Sequence, residues 1–143
     1  MIRPITDADR QAVVDIWLHA SFEAHAFIPC SYWENKAEEM ETVYLPSSET
    51  WVYEDESSGE VCGFLSLVDS YLAALFVLPE KQGAGVGSRL MQKAKSMRSR
   101  LCLHVYAENA GAVSFYKKQC FQIIGEQADQ ETGRREYRME FLP

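Results

Sequence analysis

Residues Phe76 to Ala94 read FVLPEKQGAGVGSRLMQKA, and this stretch restricts the fold of the 143-residue chain more tightly than any other. The apolar run YLAALFVLP stops at Pro79, which lacks the N–H that a continuing strand would donate. Beyond it Gly83, Gly85 and Gly87 fall at alternate positions. Val86, Leu90, Ala94 and Met97 then share one face of a helix expected over about 85–98. The reading is strand, bare turn, helix. Glycines at such a turn let main-chain N–H groups approach a ligand with no Cβ in the way. At a helix N-terminus those amides and the helix dipole favour an anion, phosphate above all. A tight turn that only packs the helix against a sheet would call for the same residues.

The flanking sequence supplies the sheet. Ile2–Ile5 reads as a first strand, and Thr6, with Asp9 three residues on, as the start of a helix whose Val13, Ile16, Trp17 and Ala20 face the core. SFEAHAFIPCS at 21–31 breaks that pattern before a second helix over 32–44, where Glu34, Lys36, Glu38, Glu39 and Glu41 make a solvated face. TWVYE at 50–54, the turn DESSGE and VCGFLSLV form a hairpin, and Asp69-Ser70 leads into the run that ends at Pro79. LCLHVY at 101–106 alternates as a strand, and Asn109 caps a helix carrying Val113, Phe115 and Tyr116. FQIIGE, the turn at Glu131-Thr132-Gly133 and REYRMEFL close the chain as a hairpin. The order βααβββαβαββ, with hairpins first and a strand–helix–strand unit after them, points to one mixed α/β sheet covered by helices, a single domain over 1–143.

Charge and composition narrow the ligand. The net charge of -7 argues against a nucleic-acid partner, whose binders usually carry a basic face, and favours cationic partners such as amines or basic protein segments, or serves solubility alone. No apolar run reaches the ~18 residues of a membrane span, so no membrane partner is expected. MIRPITDADR is too polar for a signal peptide, which makes the cytoplasm the expected compartment. Cys30, Cys62, Cys102 and Cys120 stand far apart beside apolar stretches, as buried reduced thiols would. With His19, His25 and His104 they form no metal-ligand spacing, so no metal is expected.

Three phosphate-type readings compete for the glycine turn. A Walker loop needs G-x-x-x-x-G-K-[ST], and here Gly87 is followed by Ser88-Arg89. A dinucleotide fingerprint opens a βαβ unit near a domain start, whereas this turn follows four strands; Glu108 lies at a suitable distance for a ribose contact, but little chain follows it. The third is the pyrophosphate of coenzyme A. Gln82-Gly83-Ala84-Gly85-Val86-Gly87 fits the pattern Q/R-x-x-G-x-G/A, and Asn109 to Tyr116 fits N-x-x-A-x-x-F-Y at the expected distance downstream. In both motifs, and in element order from end to end, the chain resembles the GCN5-related N-acetyltransferases (GNAT). His25–Ile28, Tyr32-Trp33, Trp51–Glu54 and Ala74–Val77 are similar to the small bacterial members of the YiaC type, some of which acetylate protein lysines.

The resemblance implies the acyl-CoA N-acyltransferase fold: a mixed, mostly antiparallel sheet of about seven strands flanked by four helices. It implies acetyl-CoA as co-substrate and direct attack by a primary amine, of a protein lysine or a small molecule, in a ternary complex. Main-chain groups of Phe76, Val77 and Leu78 would hold the pantetheine and polarise the thioester, a strand amide near Val77 serving as oxyanion hole. Gln82, Gly83, Ala84, Gly85, Val86, Gly87 and Ser88 would hold the pyrophosphate, and Asn109 would bond the cofactor. Tyr116 occupies the position of the general acid. Relatives that acetylate ribosomal-protein N-termini carry a glutamate base five residues before the asparagine, where this chain has His104. By alternation His104 shares a face with Cys102 and Tyr106, and it is equally a structural histidine on a half-buried strand. Glu54 and Glu23 are the alternative bases. Ser21–Trp33, with His25, Phe27 and Trp33, would wall the acceptor site. A non-catalytic acyl-CoA sensor would keep the glycine turn but need neither Tyr116 nor His104. Both monomer and homodimer fit the chain. One departure stands out: where the family writes G-F, this chain has Cys120-Phe121, so a positive φ there would strain the cysteine.

Overall fold

The structure, a computed structural model, describes residues 1–142. In chain order it contains β1 (Ile2–Pro4), α1 (Arg10–Ala24), α2 (Cys30–Glu39), β2 (Glu49–Glu54), β3 (Val61–Val68), β4 (Tyr71–Val77), α3 (Val86–Met97), β5 (Leu101–Tyr106), α4 (Ala110–Lys118), β6 (Gln122–Ala128) and β7 (Arg135–Phe141). The strands form one seven-stranded sheet in the order β1-β2-β3-β4-β5-β7-β6. Hairpin-linked neighbours pair antiparallel, while β4 and β5, joined through α3, are parallel.

Alternation along the strands divides the core between the two faces. On one, Val13, Val14 and Ile16 of α1 pack with Val52, Phe64, Met40 and Leu45. On the other, Val86, Leu90, Met91 and Ala94 of α3 and Val113 of α4 pack with Leu65, Leu67, Leu101, Leu103, Val105 and Met139. The entry to α1 is fixed locally. The Thr6 N–H and hydroxyl donate to one Asp9 oxygen at 2.8 and 2.9 Å, and the Arg3 guanidinium donates to both oxygens at 2.7 and 3.0 Å. Chiefly through Arg3, the Asp9 carboxyl is held down at about 2.

The second helix differs from the sequence reading. It starts at Cys30, ends at Glu39, and passes into a π-helical turn over Met40–Tyr44. The Leu45 N–H donates to the Met40 carbonyl at 3.0 Å. The wider turn keeps Met40 and Leu45, five residues apart, on the buried side while Val43 and Tyr44 face solvent.

The cysteines are all free, but only Cys62 is buried; Cys30 and Cys120 are exposed and Cys102 half-buried, against the expectation of four buried thiols. Neighbouring apolar residues do not bury a residue that sits at a helix end. Cys120 follows α4 with φ of 72°, and the Phe121 N–H reaches back to the Tyr116 carbonyl at 3.0 Å, closing the helix as a left-handed cap. The strain anticipated from the missing glycine is present. Cys120→Gly is expected to raise stability by about 1 kcal/mol, read as a higher urea midpoint at unchanged slope. An equal or lower midpoint would show that the cysteine side chain offsets its backbone cost.

Candidate active site

A gap in the middle of the sheet organises the site. β4 and β5 share a single bridge, Tyr71 with Cys102, backed by the Cys102 N–H donating to the Ser70 carbonyl at 3.0 Å. Past that point no residues of the two strands pair, and the edges part toward their C-terminal ends. The ladders on either side say which main-chain groups face the opening. The Leu78 N–H donates to Cys62 at 2.8 Å, so by alternation Phe76 and Ala74 bond β3 while Leu75 and Val77 point the other way. On β5 the Ala107 N–H donates to the Arg135 carbonyl at 3.0 Å, which leaves the main chains of His104 and Tyr106 toward the gap. Two unpaired edges at an opening suit an extended ligand that bonds as an added strand would.

Of Phe76, Val77 and Leu78, only Val77 opens its N–H into this gap. Leu78 spends its N–H on Cys62 and its carbonyl on the Lys81 N–H at 2.9 Å, so its main chain is not available there. The Phe76 ring stacks on Phe64 at 5.9 Å, on the α1 face. The Val77 carbonyl accepts from Gln82 Nε2 at 3.0 Å, which pins the glycine turn to the end of β4. Near the closed end the register slips: Ser66 pairs with Ala74 and Leu67 with Leu72, leaving Ala73 exposed and without a β3 partner.

Gln82, Gly83, Ala84 and Gly85 form an exposed turn at the wide end of the gap. Gly83 and Gly85 have φ of 85° and 86°, and a Cβ at either would meet nothing within 4 Å. The glycines are therefore required by backbone conformation rather than by crowding. Gly85 caps α3, its carbonyl accepting the Arg89 N–H, while the amides of Val86, Gly87 and Ser88 lie in the first turn, where a helix has no internal acceptor for them. The Ser88 hydroxyl accepts a bond from Gln119 Nε2 at 3.3 Å.

Tyr116 is half-buried on α4, its ring 5.4 Å from Phe115 and 5.7 Å from Phe121. Desolvation, with a smaller contribution from the Tyr71 phenol, pushes its hydroxyl up to about 12. Asn109 caps α4 as expected, accepting the Ala112 N–H at 3.2 Å, and its amide nitrogen lies 3.3 Å from His25 Nε2. The cap fixes which end of the amide faces His25: the nitrogen donates and Nε2 accepts. His25 is buried and brought down to about 4 by desolvation, so it is neutral and its proton sits on Nδ1, which is buried without a partner.

Phe27 and Trp33, expected with His25 to wall an acceptor site, come together around that histidine. Its ring stacks on Trp33 at 5.0 Å and meets Phe27 at 5.9 Å and Tyr106 at 5.1 Å. Sequence reasoning missed the tip of the β6–β7 hairpin, which closes over this cluster. Tyr106 donates to Asp129 at 2.7 Å, and Tyr32 and Lys36 both donate to Glu131 at 2.6 Å. The alternation that groups Tyr106 with His104 was the available signal.

His104 is exposed on β5, on the face away from Leu103 and Val105, and its Nδ1 lies 2.9 Å from the Tyr71 hydroxyl. Tyr116 belongs to the α3–α4 side and His104 to the α1 side, so the two approach the gap from opposite faces of the sheet. Glu54 is removed from contention as a base: it is bound to Arg3 Nε at 2.8 Å on β2, two strands from the gap. Glu23 is exposed on α1. No group of three or more His, Cys, Asp or Glu side chains among the described residues is arranged to hold a metal, and no helix there is long and apolar enough to cross a membrane.

The chain is similar in sequence and fold to known proteins. A family model described as an acetyltransferase (GNAT) domain matches residues 46–123. The chain is 34% identical over 125 residues to the peptidyl-lysine N-acetyltransferase YiaC of Escherichia coli (strain K12), covering 87% of this chain and 84% of that protein. It is 32% identical over 133 residues to the peptidyl-lysine N-acetyltransferase YjaB of the same organism, covering 93% and 89%. The solution structure of apo-form YjaB superimposes with a TM-score of 0.86 at 28% identity, over 99% of this chain and 96% of that one. The fold also matches the PaiA N-acetyltransferase of Thermoplasma acidophilum, solved in complex with coenzyme A, with a TM-score of 0.80 at 16% identity over 100% and 98%.

Proposed function

The chain belongs to the GNAT acetyltransferase family, and on that premise we propose that it transfers acetyl from acetyl-CoA to the ε-amino groups of lysines in proteins. The single observation that carries the donor half is the one-bridge parting of β4 from β5 with the glycine turn at its wide end. The acceptor class rests on two relatives, both peptidyl-lysine N-acetyltransferases, and agrees with a net charge of -7.

In this reading the pantetheine bonds the free edge at Val77, and the amides of Gly83 to Ser88 hold the pyrophosphate, with the positive end of the α3 dipole behind them. Gln82 keeps the turn seated on the strand. Ala73, unpaired beside the narrow end, is better placed than Val77 to give an amide to the thioester carbonyl. The lysine enters from the α1 face, past His25, Phe27, Trp33 and Tyr106. A lysine ammonium, with a pKa near 10.4, is neutral in only about one molecule in a thousand at about pH 7.4, so a proton must be removed. His104 takes it. The neutral amine then attacks the acetyl carbon, the carbon–sulfur bond breaks, and the sulfur departs as a thiolate toward the face of Tyr116. The excess proton left on the acetylated nitrogen passes through solvent to the thiolate, giving the amide and the free thiol. The Asn109–His25 contact ties the acceptor wall to the start of the helix that carries Tyr116.

The test uses acetyl-CoA with labelled acetyl and a lysine-containing peptide whose N-terminus is blocked. Saturating acetyl-CoA, about a hundredfold over Kd, should add roughly 2.7 kcal/mol and raise the melting temperature by several degrees. Mass spectrometry should place the label on the lysine side chain. Label on spermidine or an aminoglycoside but not on peptide would overturn the acceptor class, and absence of any thermal shift would overturn the donor.

A further inference from the structure

Tyr71 is absent from the motifs, yet its hydroxyl is the hydrogen-bond partner of the His104 ring, at 2.9 Å from Nδ1 with ring centroids 5.5 Å apart. Strict alternation would forbid the contact. Leu75 and Val77 pack on the α3 face while Ala74 and Phe76 pack on the α1 face, so a regular strand would aim Tyr71 with Leu75, away from His104. The extra residue at Ala73 reverses the phase. Leu72 falls on the α3 face and Tyr71 turns to the α1 face, beside His104. Position matters as much as direction. Tyr71 forms the bridge to Cys102, the last place where β4 touches β5 before the strands part, so its side chain is held at a set distance from β5.

We propose that Tyr71 is a positioning residue for His104: it accepts the Nδ1–H, fixes the ring and its tautomer, and so leaves the Nε2 lone pair free for the acceptor amine. This inference rests on the reading of His104 as base. A neutral imidazole carries one proton, so its two nitrogens cannot both accept. Were Tyr71 the donor, the ring proton would sit on Nε2 and His104 could take nothing from a substrate through that nitrogen. With Nδ1–H donated to Tyr71, the amine proton passes to Nε2, the resulting imidazolium keeps its bond to the phenol oxygen, and no other group changes protonation. Burial of Tyr71 keeps the phenol from ionising, so the partner remains a neutral acceptor.

The test combines Tyr71→Phe, His104→Gln and the double variant with the ring-nitrogen NMR spectrum of His104 in labelled protein. Phenylalanine keeps the ring and deletes only the oxygen. We expect the Nδ1–H form in the wild type and a loss of that preference in Tyr71→Phe. With it, kcat on the blocked peptide should fall about tenfold, with the KM for acetyl-CoA unmoved. In the His104→Gln background Tyr71→Phe should cost nothing further. Losses that multiply in full in the double variant would overturn the inference while leaving His104 as base. An Nε2–H wild type would overturn the inference by making Tyr71 the donor, and would count against the base as well. A His104→Gln enzyme with wild-type kcat would instead remove the base reading itself.

Discussion

Tyr116→Phe is expected to slow acetyl transfer by about ten- to a thousandfold while leaving the binding of acetyl-CoA and the melting temperature nearly unchanged. The substitution deletes one oxygen from a ring that packs on Phe115 and Phe121, and phenylalanine fills the same space. What is lost is a donor that burial holds in its protonated form, the hydroxyl standing at about 12. That value also constrains how the donor works. A thiol of ordinary pKa near 8.5 is a stronger acid than this phenol, so complete transfer of the proton to a free thiolate would run uphill. In the proposed mechanism Tyr116 would therefore act by donating a hydrogen bond whose strength grows as negative charge collects on the departing sulfur, an interaction made in the transition state and scarcely before it. The pH dependence follows in sign. Because the folded value is raised, the hydroxyl keeps its proton at every pH below about 12, and Tyr116 should impose no alkaline limb on the rate between pH 7 and 10. A phenylalanine variant with wild-type kcat would transfer the role to water. A wild-type protein that binds acetyl-CoA and acetylates no amine would return the molecule to the class of acyl-CoA sensors.

Why Tyr116 could be singled out from sequence and Tyr71 could not is a matter of range. Tyr116 stands at a fixed offset from Asn109 on one short helix, and the glycine turn is contiguous, so both are legible as local patterns. The strand and helix order was legible for the same reason: hairpin turns, a proline stop and helical periodicity each act within a few residues. Tyr71 depends on a bulge at Ala73 that exists only in the pairing of β4 with β3, and bulges leave no mark in the alternation of one strand. Leu78 failed as a gap-lining residue for a related cause, since which amides are free is decided by the neighbouring ladder rather than by the strand's own sequence. The exposed Cys30 and Cys120 show the converse error. An apolar neighbourhood in sequence was read as burial, whereas both thiols lie at helix ends. Contacts across long separations, such as Tyr32 with Glu131 or His25 with Asn109, require the closed fold before they can be named.

Gly85→Asp is expected to weaken acetyl-CoA binding by about a hundredfold or more with little change in folding stability. The two halves of that statement have separate causes. Gly85 sits at φ of 86° with open space where a Cβ would go, so no side chain must move to admit the substitution. Aspartate is among the few residues that tolerate left-handed backbone, and a carboxylate at the start of α3 is favourable to the helix dipole, which offsets much of the strain. The ligand meets the opposite sign. A carboxylate about 5 Å from one phosphate charge costs roughly 3 kcal/mol at an effective dielectric near 20, and a pyrophosphate carries two such charges. Gly85→Asn separates charge from shape, because it is isosteric and neutral; it should lose far less affinity, and its deficit should not respond to salt. The aspartate deficit should shrink as ionic strength rises and the Debye length falls below the separation of the charges. Equal losses in the two variants would mean that backbone shape, not charge, governs the turn. An aspartate variant that binds as wild type would mean that the pyrophosphate lies elsewhere, and the Gly83–Ser88 assignment would fall with it.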